Sequence, residues 1–188
     1  MTEKYIIENL PEDMTYVEDM NHNYCHLEVY AKENSKAYET SVLDVQFHLA
    51  TIYAISNNYR EGHKLNSILL PKLKENLINK STYFLEVYTH LIISQSYYSI
   101  LLGLFKDGEQ YALEALTVAP SFNIINTNLA AALLFQGKVE EAEKIYRQYK
   151  AELKDSFLGD FAEYERLKVI PEERKADVEH IKAMLNEQ

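Results

Sequence analysis

Two amphipathic helical patterns face each other within the stretch from Asn123 to Asp155, on either side of the short turn Gln136-Gly137-Lys138. A small residue stands in each pattern, Ala130 in the first and Ala142 in the second. Antiparallel helices approach to about 8–10 Å where they cross, and small side chains permit that approach. A glycine suits the position after a helix, which usually takes a positive φ. The stretch therefore predicts a helix-turn-helix hairpin.

A second hairpin is predicted one period earlier in the chain. Ser81-Thr82 begins a long helix that ends at Gly103, and a returning helix runs from Phe105 to the break at Ala119-Pro120. The two turn glycines, Gly103 and Gly137, are 137 − 103 = 34 residues apart. This spacing resembles the tetratricopeptide repeat (TPR) family, whose period is 34 residues.

The resemblance extends to an earlier stretch, AKENSKAYETSVLDVQFHLATIYAISNNYREG, which is similar to the elongated, kinesin-light-chain-like repeats of bacterial TPR proteins. It implies an all-α fold, a TPR-like α–α superhelix, with three repeats at 41–80, 81–122 and 123–156. An N-terminal helical segment at 1–40 would pack on this solenoid, and helices at 157–188 would cap it, because the end of a repeat array needs a polar outer face. Gln95 and Ser99 depart from the family pattern, where leucine and tyrosine are expected, and Asn66 stands where an aromatic residue is expected.

Composition supports the same fold and excludes several classes of partner. With 5 glycines, 4 prolines and no sustained alternation of apolar and polar residues, the chain should be all-α. A net charge of −10 opposes binding to nucleic acid or to an anionic membrane. The single cysteine, Cys25, fits a reducing compartment. No signal-peptide pattern begins the sequence, and the most apolar window, Leu91–Phe105, is too short and polar for a bilayer. We expect a cytoplasmic protein.

The sequence contains only weak signals of metal-binding or catalytic motifs. Asp19, His22, Cys25 and His26 share one predicted helix, and the two histidines stand at i and i+4, as zinc ligands can. No second Cys/His group completes a four-ligand site, so no metal and no cofactor are expected; a metal-dependent enzyme that uses this cluster is the remote alternative. No phosphate-binding loop or nucleophile motif is present, so no catalytic residue is assigned and a non-enzymatic protein is expected.

The TPR resemblance directs attention to the concave face, which the first helix of each repeat lines in that family. It implies a peptide-binding groove formed by Phe47, Thr51, His90, Ile93, Tyr97, Ile100, Thr127, Asn128, Ala131 and Leu134. No lysine or arginine stands on this face, so a clamp for a peptide carboxylate is not expected. An apolar groove with a few hydroxyls suits an amphipathic helix or an extended apolar peptide of a protein partner.

The leading expectation is therefore a protein-protein interaction scaffold whose partner the sequence does not name. The alternative is a small-ligand or signal-peptide sensor, as some bacterial TPR regulators are. A third outcome is that helices of the same chain fill the groove. A homodimer is also open, because three repeats are near the minimum for a stable array.

Overall fold

In a computed structural model, residues 58–76 and 82–187 are described, and all of them belong to the compact unit Gln46–Gln188. These residues form helices and no strand, which confirms the all-α prediction. The predicted N-terminal segment at 1–40 lies outside them. The helices are α1 (Tyr59–Asn76), α2 (Thr82–Leu101), α3 (Phe105–Val118), α4 (Ile125–Phe135), α5 (Val139–Arg166) and α6 (Lys175–Asn186), with a 3₁₀ turn, Glu172–Arg174, before α6.

Three helices end in the same left-handed turn. Gly103 has φ +76° after α2, and Gly137 has φ +82° after α4. In each turn the amide that follows the glycine donates to the carbonyl five residues before it, at 2.8 Å and 3.0 Å respectively. This double-bonded helix end is the Schellman motif, which glycine favours because it has no Cβ. Both predicted turns are confirmed. After α5 the same turn is made by Lys168, at φ 57°.

Each helix packs against its neighbour in sequence, and α2 also packs beside α4. Small residues stand at the close approaches. Gly108 of α3 faces α2 so closely that an added Cβ would lie 2.9 Å from Ile100 Cγ1 and 3.3 Å from the Ser96 carbonyl oxygen. The Ser96 hydroxyl donates to the Gly108 carbonyl at 2.7 Å. Ala130 and Ala142 are fully buried in α4 and α5, as their small size predicts.

Helix α5 bends sharply. Tyr146 and Phe161 are 15 residues apart, and a straight α-helix would separate them by about 22 Å along its axis. Their rings are 5.5 Å apart, and the ring of Phe157 lies 4.7 Å from that of Tyr146. Two aromatic side chains are too short to reach each other across about 22 Å, so the second half of α5 must fold back along the first half. The sequence predicts a separate short helix after Ser156; instead α5 continues to Arg166 and contains no proline.

The sequence predicts a final helix from four apolar residues at helical spacing, Val178, Ile181, Met184 and Leu185. These four are the buried residues of α6, which confirms the prediction. A kink or a split is predicted at Pro71, but α1 is not divided there and continues to Asn76. None of the six described helices combines the length and the apolar character that a bilayer crossing requires.

Candidate functional site

A cavity of about 370 Å³ lies between α1, α2 and the first turn of α4. Eight residues line it: Tyr59, Ile93, Ser94, Tyr97, Tyr98, Ile124, Thr127 and Asn128. The side-by-side packing of α2 and α4 forms its walls, and the Asn128 amide nitrogen donates to the Ile93 carbonyl oxygen at 3.1 Å across this contact. Ile124 lines the cavity and is 38% exposed, so this part of the wall is accessible to solvent. The cavity falls at the lower end of the size range of small-ligand pockets.

Four of the predicted groove residues meet in this cavity. Ile93 and Tyr97 come from α2, and Thr127 and Asn128 come from α4. A fifth, His90, is exposed one turn before Ile93, and its ring lies 6.4 Å from that of Phe122.

The other predicted groove residues lie elsewhere. Ile100, Ala131 and Leu134 are buried among the helices and have almost no accessible surface, so a ligand does not reach them in this structure. Phe47 and Thr51 lie outside the described residues, as do Asp19, His22, Cys25 and His26. Within the described ranges, no cluster of His, Cys, Asp and Glu has the arrangement of a metal site.

Sequence reasoning missed two tyrosines of the cavity. The Tyr59 ring is perpendicular to the Tyr97 ring at 6.4 Å, with an interplanar angle of 88°, and it lies 6.0 Å from the Tyr98 ring. Burial raises the pKa of Tyr98 to about 12 and raises that of Tyr97 as well, so both phenols stay protonated. The sequence feature that pointed to these tyrosines was composition alone, since 15 tyrosines in 188 residues is a high content.

The second half of α5 covers one side of the predicted groove. The Tyr164 ring lies 6.0 Å from that of Tyr97, and Glu163 accepts a hydrogen bond of 3.1 Å from the Tyr59 hydroxyl. The Tyr164 ring also lies 5.3 Å from that of Phe135 of α4. These contacts join α5 to all three elements of the cavity, so the cavity is the part of this face that α5 leaves open.

Protein-family models, curated proteins and solved structures yield no match to the chain. The site must therefore be interpreted from its own geometry.

Two carboxylates stand behind the cavity in different electrostatic states. Glu163 pairs with Arg166, whose Nε lies 2.7 Å from Oε2, and these hydrogen bonds lower the pKa of Glu163. Burial raises the pKa of Asp160 to about 6, although the hydrogen bond from Thr127 acts in the opposite direction. No lysine, arginine or histidine of the described chain pairs with Asp160. At pH 7 and above it is a partly buried negative charge without a counterion among the described residues.

Hydroxyl groups of the cavity wall already donate within the protein. Tyr59 donates to Glu163, and the Ser94 hydroxyl donates to the His90 carbonyl at 2.9 Å. A hydroxyl has one hydrogen and two acceptor lone pairs, so the Ser94 oxygen can still accept a hydrogen bond. The site thus combines aromatic and aliphatic surface with an acceptor oxygen, which is the chemistry of a binding site.

Proposed function

We propose that the chain is a non-enzymatic interaction module with a TPR-like α–α superhelix, and that it binds a segment of a partner protein in the cavity between α1, α2 and α4. The observation that carries this proposal is the convergence of four inward-face residues on one open cavity: Ile93, Tyr97, Thr127 and Asn128.

Two features of the fold support a repeat architecture. The Schellman turns at Gly103 and Gly137 recur at the 34-residue period. Helix α2 packs beside α4, although α3 separates them in the chain. The first helices of successive repeats pack in this way in a solenoid.

The surface beside the cavity favours a peptide. Phe122 is 44% exposed and Ile124 is 38% exposed; both precede α4, and Ile124 lines the cavity. A partner segment could insert one side chain into the cavity and lay apolar residues over these two side chains. Anchors in a central pocket typically carry most of the binding free energy of such interfaces.

A cavity-filling variant tests the proposal. Ser94→Phe would place a ring in the cavity, and it breaks no bond between helices because the Ser94 hydroxyl bonds within its own helix. Thr117→Phe is the matched control: Thr117 is exposed on α3 and its hydroxyl bonds in the same way, to the Leu113 carbonyl.

Peptides that bind the full-length protein would be selected from a displayed random library, and their affinities would be measured for each variant. We expect Ser94→Phe to weaken binding by about tenfold or more, which corresponds to about 1.4 kcal/mol, and Thr117→Phe to leave it unchanged. Helicity and melting temperature check that both variants fold. If no peptide is enriched, or if the enriched peptides bind Ser94→Phe as tightly as the wild type, the proposed function is wrong.

A further inference from the structure

One accessible stripe of α2 extends from the cavity towards the beginning of the helix. Glu86, His90, Ile93 and Tyr97 recur at intervals of four, three and four residues, so they lie on one face of α2. All four are exposed or partly exposed. Glu86 and Tyr97 are 97 − 86 = 11 residues apart, which corresponds to about 16 Å along the helix axis. The cavity is therefore one end of a longer surface.

The loop before α4 borders the same surface. The ring of Phe122 is nearly perpendicular to the ring of His90, at 6.4 Å and with an interplanar angle of 86°. Ile124 lines the cavity beside Ile93 and Tyr97, and both loop side chains are exposed. We call the α2 stripe and these two loop residues the docking face. Its apolar part suits one side of an amphipathic helix.

Two carboxylates border the docking face outside the cavity. Glu86 is exposed and pairs with no lysine, arginine or histidine of the described ranges. Asn123 lies between the two loop residues and donates its side-chain amide to both oxygens of Glu152, at 2.9 Å and 3.1 Å. Glu152 likewise has no cationic partner within the described part of the chain. A carboxylate offers about four acceptor positions, so both groups can accept further hydrogen bonds.

The cavity end of the docking face has a different chemistry. None of the described residues that line the cavity carries a formal charge. The side chains of Ser94 and Asn128 already donate to backbone carbonyls of α2. On α5, Glu163 is paired with Arg166, whose Nε lies 2.7 Å from its Oε2. The cavity therefore suits an apolar side chain, whereas a cationic side chain finds carboxylates without a described cation at Glu86 and Glu152.

We propose that the docking face binds a basic amphipathic helix of the partner, with an apolar side chain in the cavity and lysine or arginine beside Glu86 and Glu152. The basic residue beside Glu86 stands about three helical turns from the apolar anchor, since the two helices have the same rise per residue. This inference rests on the proposed function and specifies its partner. A second copy of the chain is a poorer occupant, because each copy has a net charge of −10.

Two displayed peptide libraries test the charge of the partner. Both have random apolar residues along one face of a helical peptide. The polar positions are lysine or glutamine in the first library and glutamate or glutamine in the second. Binders to the full-length protein would be selected from each, and those that lose affinity for Ser94→Phe would be counted as ligands of the cavity. We expect about tenfold or more of these ligands from the lysine library, because opposite charges favour encounter and like charges oppose it.

Removing the two carboxylates tests their part in binding. Glu86→Gln combined with Glu152→Gln removes both charges, and the amide introduced at position 152 can still accept from Asn123. We expect this double variant to bind the selected lysine peptides about threefold or more weakly at about 0.05 M salt, as exposed ion pairs contribute modestly. The difference should almost vanish at about 1 M salt, where the Debye length is about 3 Å.

Glu140→Gln combined with Glu173→Gln is the matched control, because it removes the same two units of charge from exposed residues. Both glutamates lie near the Gly137 turn, at the opposite end of α4 from the docking face. Glu140 follows this turn at the beginning of α5, and Glu173 precedes Arg174, whose guanidinium lies against Gly137. We expect the control to leave the affinity for the lysine peptides unchanged at both salt concentrations.

The proposal is overturned if ligands of the cavity come equally from the two libraries, or if the Glu86 and Glu152 variant binds no more weakly than the control. In both cases the loss of affinity for Ser94→Phe would leave the proposed function standing. Failure of both libraries to yield a ligand of the cavity would also overturn it, and the random library would then decide the proposed function separately. A dimer in sedimentation that Ser94→Phe abolishes would overturn it too, because a second copy of the chain would then occupy the docking face.

Discussion

The charge of Asp160 has a cost that can be measured as a pH dependence of stability. Its pKa is about 6 in the folded protein against an ordinary value of 3.8. The folded state therefore binds the proton more tightly than the unfolded state does. The stabilisation that the protonated carboxyl provides is complete below pH 3.8 and is lost as the pH rises through 6. Asp160→Asn should remove this dependence, since an amide does not titrate.

The shift of 6 − 3.8 = 2.2 sets the magnitude. At pH 7.5, ionised Asp160 lowers the free energy of unfolding by about 3 kcal/mol relative to its protonated form, since each pKa unit corresponds to about 1.4 kcal/mol. At pH 5 the penalty falls to about 1.5 kcal/mol, because the folded protein is then mostly protonated at this site. The advantage of Asp160→Asn over the wild type should therefore shrink by about 1.5 kcal/mol between these pH values.

Urea unfolding monitored by circular dichroism, for wild type and variant at pH 4.5 to 7.5, measures this difference. Other titrating groups cancel when the two curves are subtracted, provided that they do not interact with position 160. The groups that face it are Tyr97 of α2 and Tyr146 and Tyr164 of α5, which remain protonated throughout this range because their pKa values are raised. Parallel curves would refute the argument that burial holds this carboxyl in an unfavourable charged state.

Three further perturbations test the packing, each by urea unfolding. Gly108→Ala should lower the free energy of unfolding by about 1–3 kcal/mol, because the added Cβ would lie less than 3 Å from Ile100 of α2. Gly159→Ala should raise the free energy of unfolding by about 0.5–1 kcal/mol, because the position is helical and has open space around it. If Gly108→Ala were the more stable variant, the close α2–α3 contact would be contradicted. Lys168→Gly should stabilise by up to about 1 kcal/mol by relieving a positive φ, and a loss would show that the lysine side chain makes a stabilising contact. Ala142→Leu should cost about 1–3 kcal/mol and Glu140→Gln almost nothing, and equal stabilities would contradict the close α4–α5 crossing.

The hairpins were predictable from sequence because local rules determine them. A glycine after an apolar helical pattern specifies a helix end, as at Gly103 and Gly137, and four apolar residues at helical spacing identified the buried face of α6. The cavity was located in part by the TPR resemblance and not by these local rules, since the resemblance selected Ile93, Tyr97, Thr127 and Asn128.

The bend of α5 could not be predicted from the same evidence. A helical pattern gives the spacing of buried residues along one axis, and Phe157 and Phe161 continue the pattern of Tyr146 without indicating a change of direction. Tertiary contacts with Tyr59 and Tyr97 fix where the second half of the helix lies. The burial of Ile100 and Leu134 escaped prediction for a related reason, since both lie on apolar faces that the sequence could not divide into core and groove.

Buried polar residues explain how the chain tolerates its departures from the TPR pattern. Asn66 and Gln95 are fully buried between α1 and α2. The Asn66 amide donates to the Leu91 carbonyl at 3.3 Å, and the Gln95 amide donates to the Ser67 hydroxyl at 2.9 Å. Polar side chains thus take positions where leucine and an aromatic residue were expected. These hydrogen bonds offset only part of the cost of burial, because Asn66 Oδ1 and Gln95 Oε1 are buried and accept no hydrogen bond from the described residues.

The hydrogen bond from Tyr59 to Glu163 joins residues that are 104 positions apart. In an open repeat array each unit touches its immediate neighbours, so the ends can unravel one repeat at a time. Here the folded-back half of α5 holds the beginning of α1, which closes the described helices into a loop of contacts. Amide hydrogens of α1 and α5 should therefore exchange in one shared opening event instead of from the two ends inward. Cutting the chain within the bend of α5 would loosen a helix a hundred residues earlier.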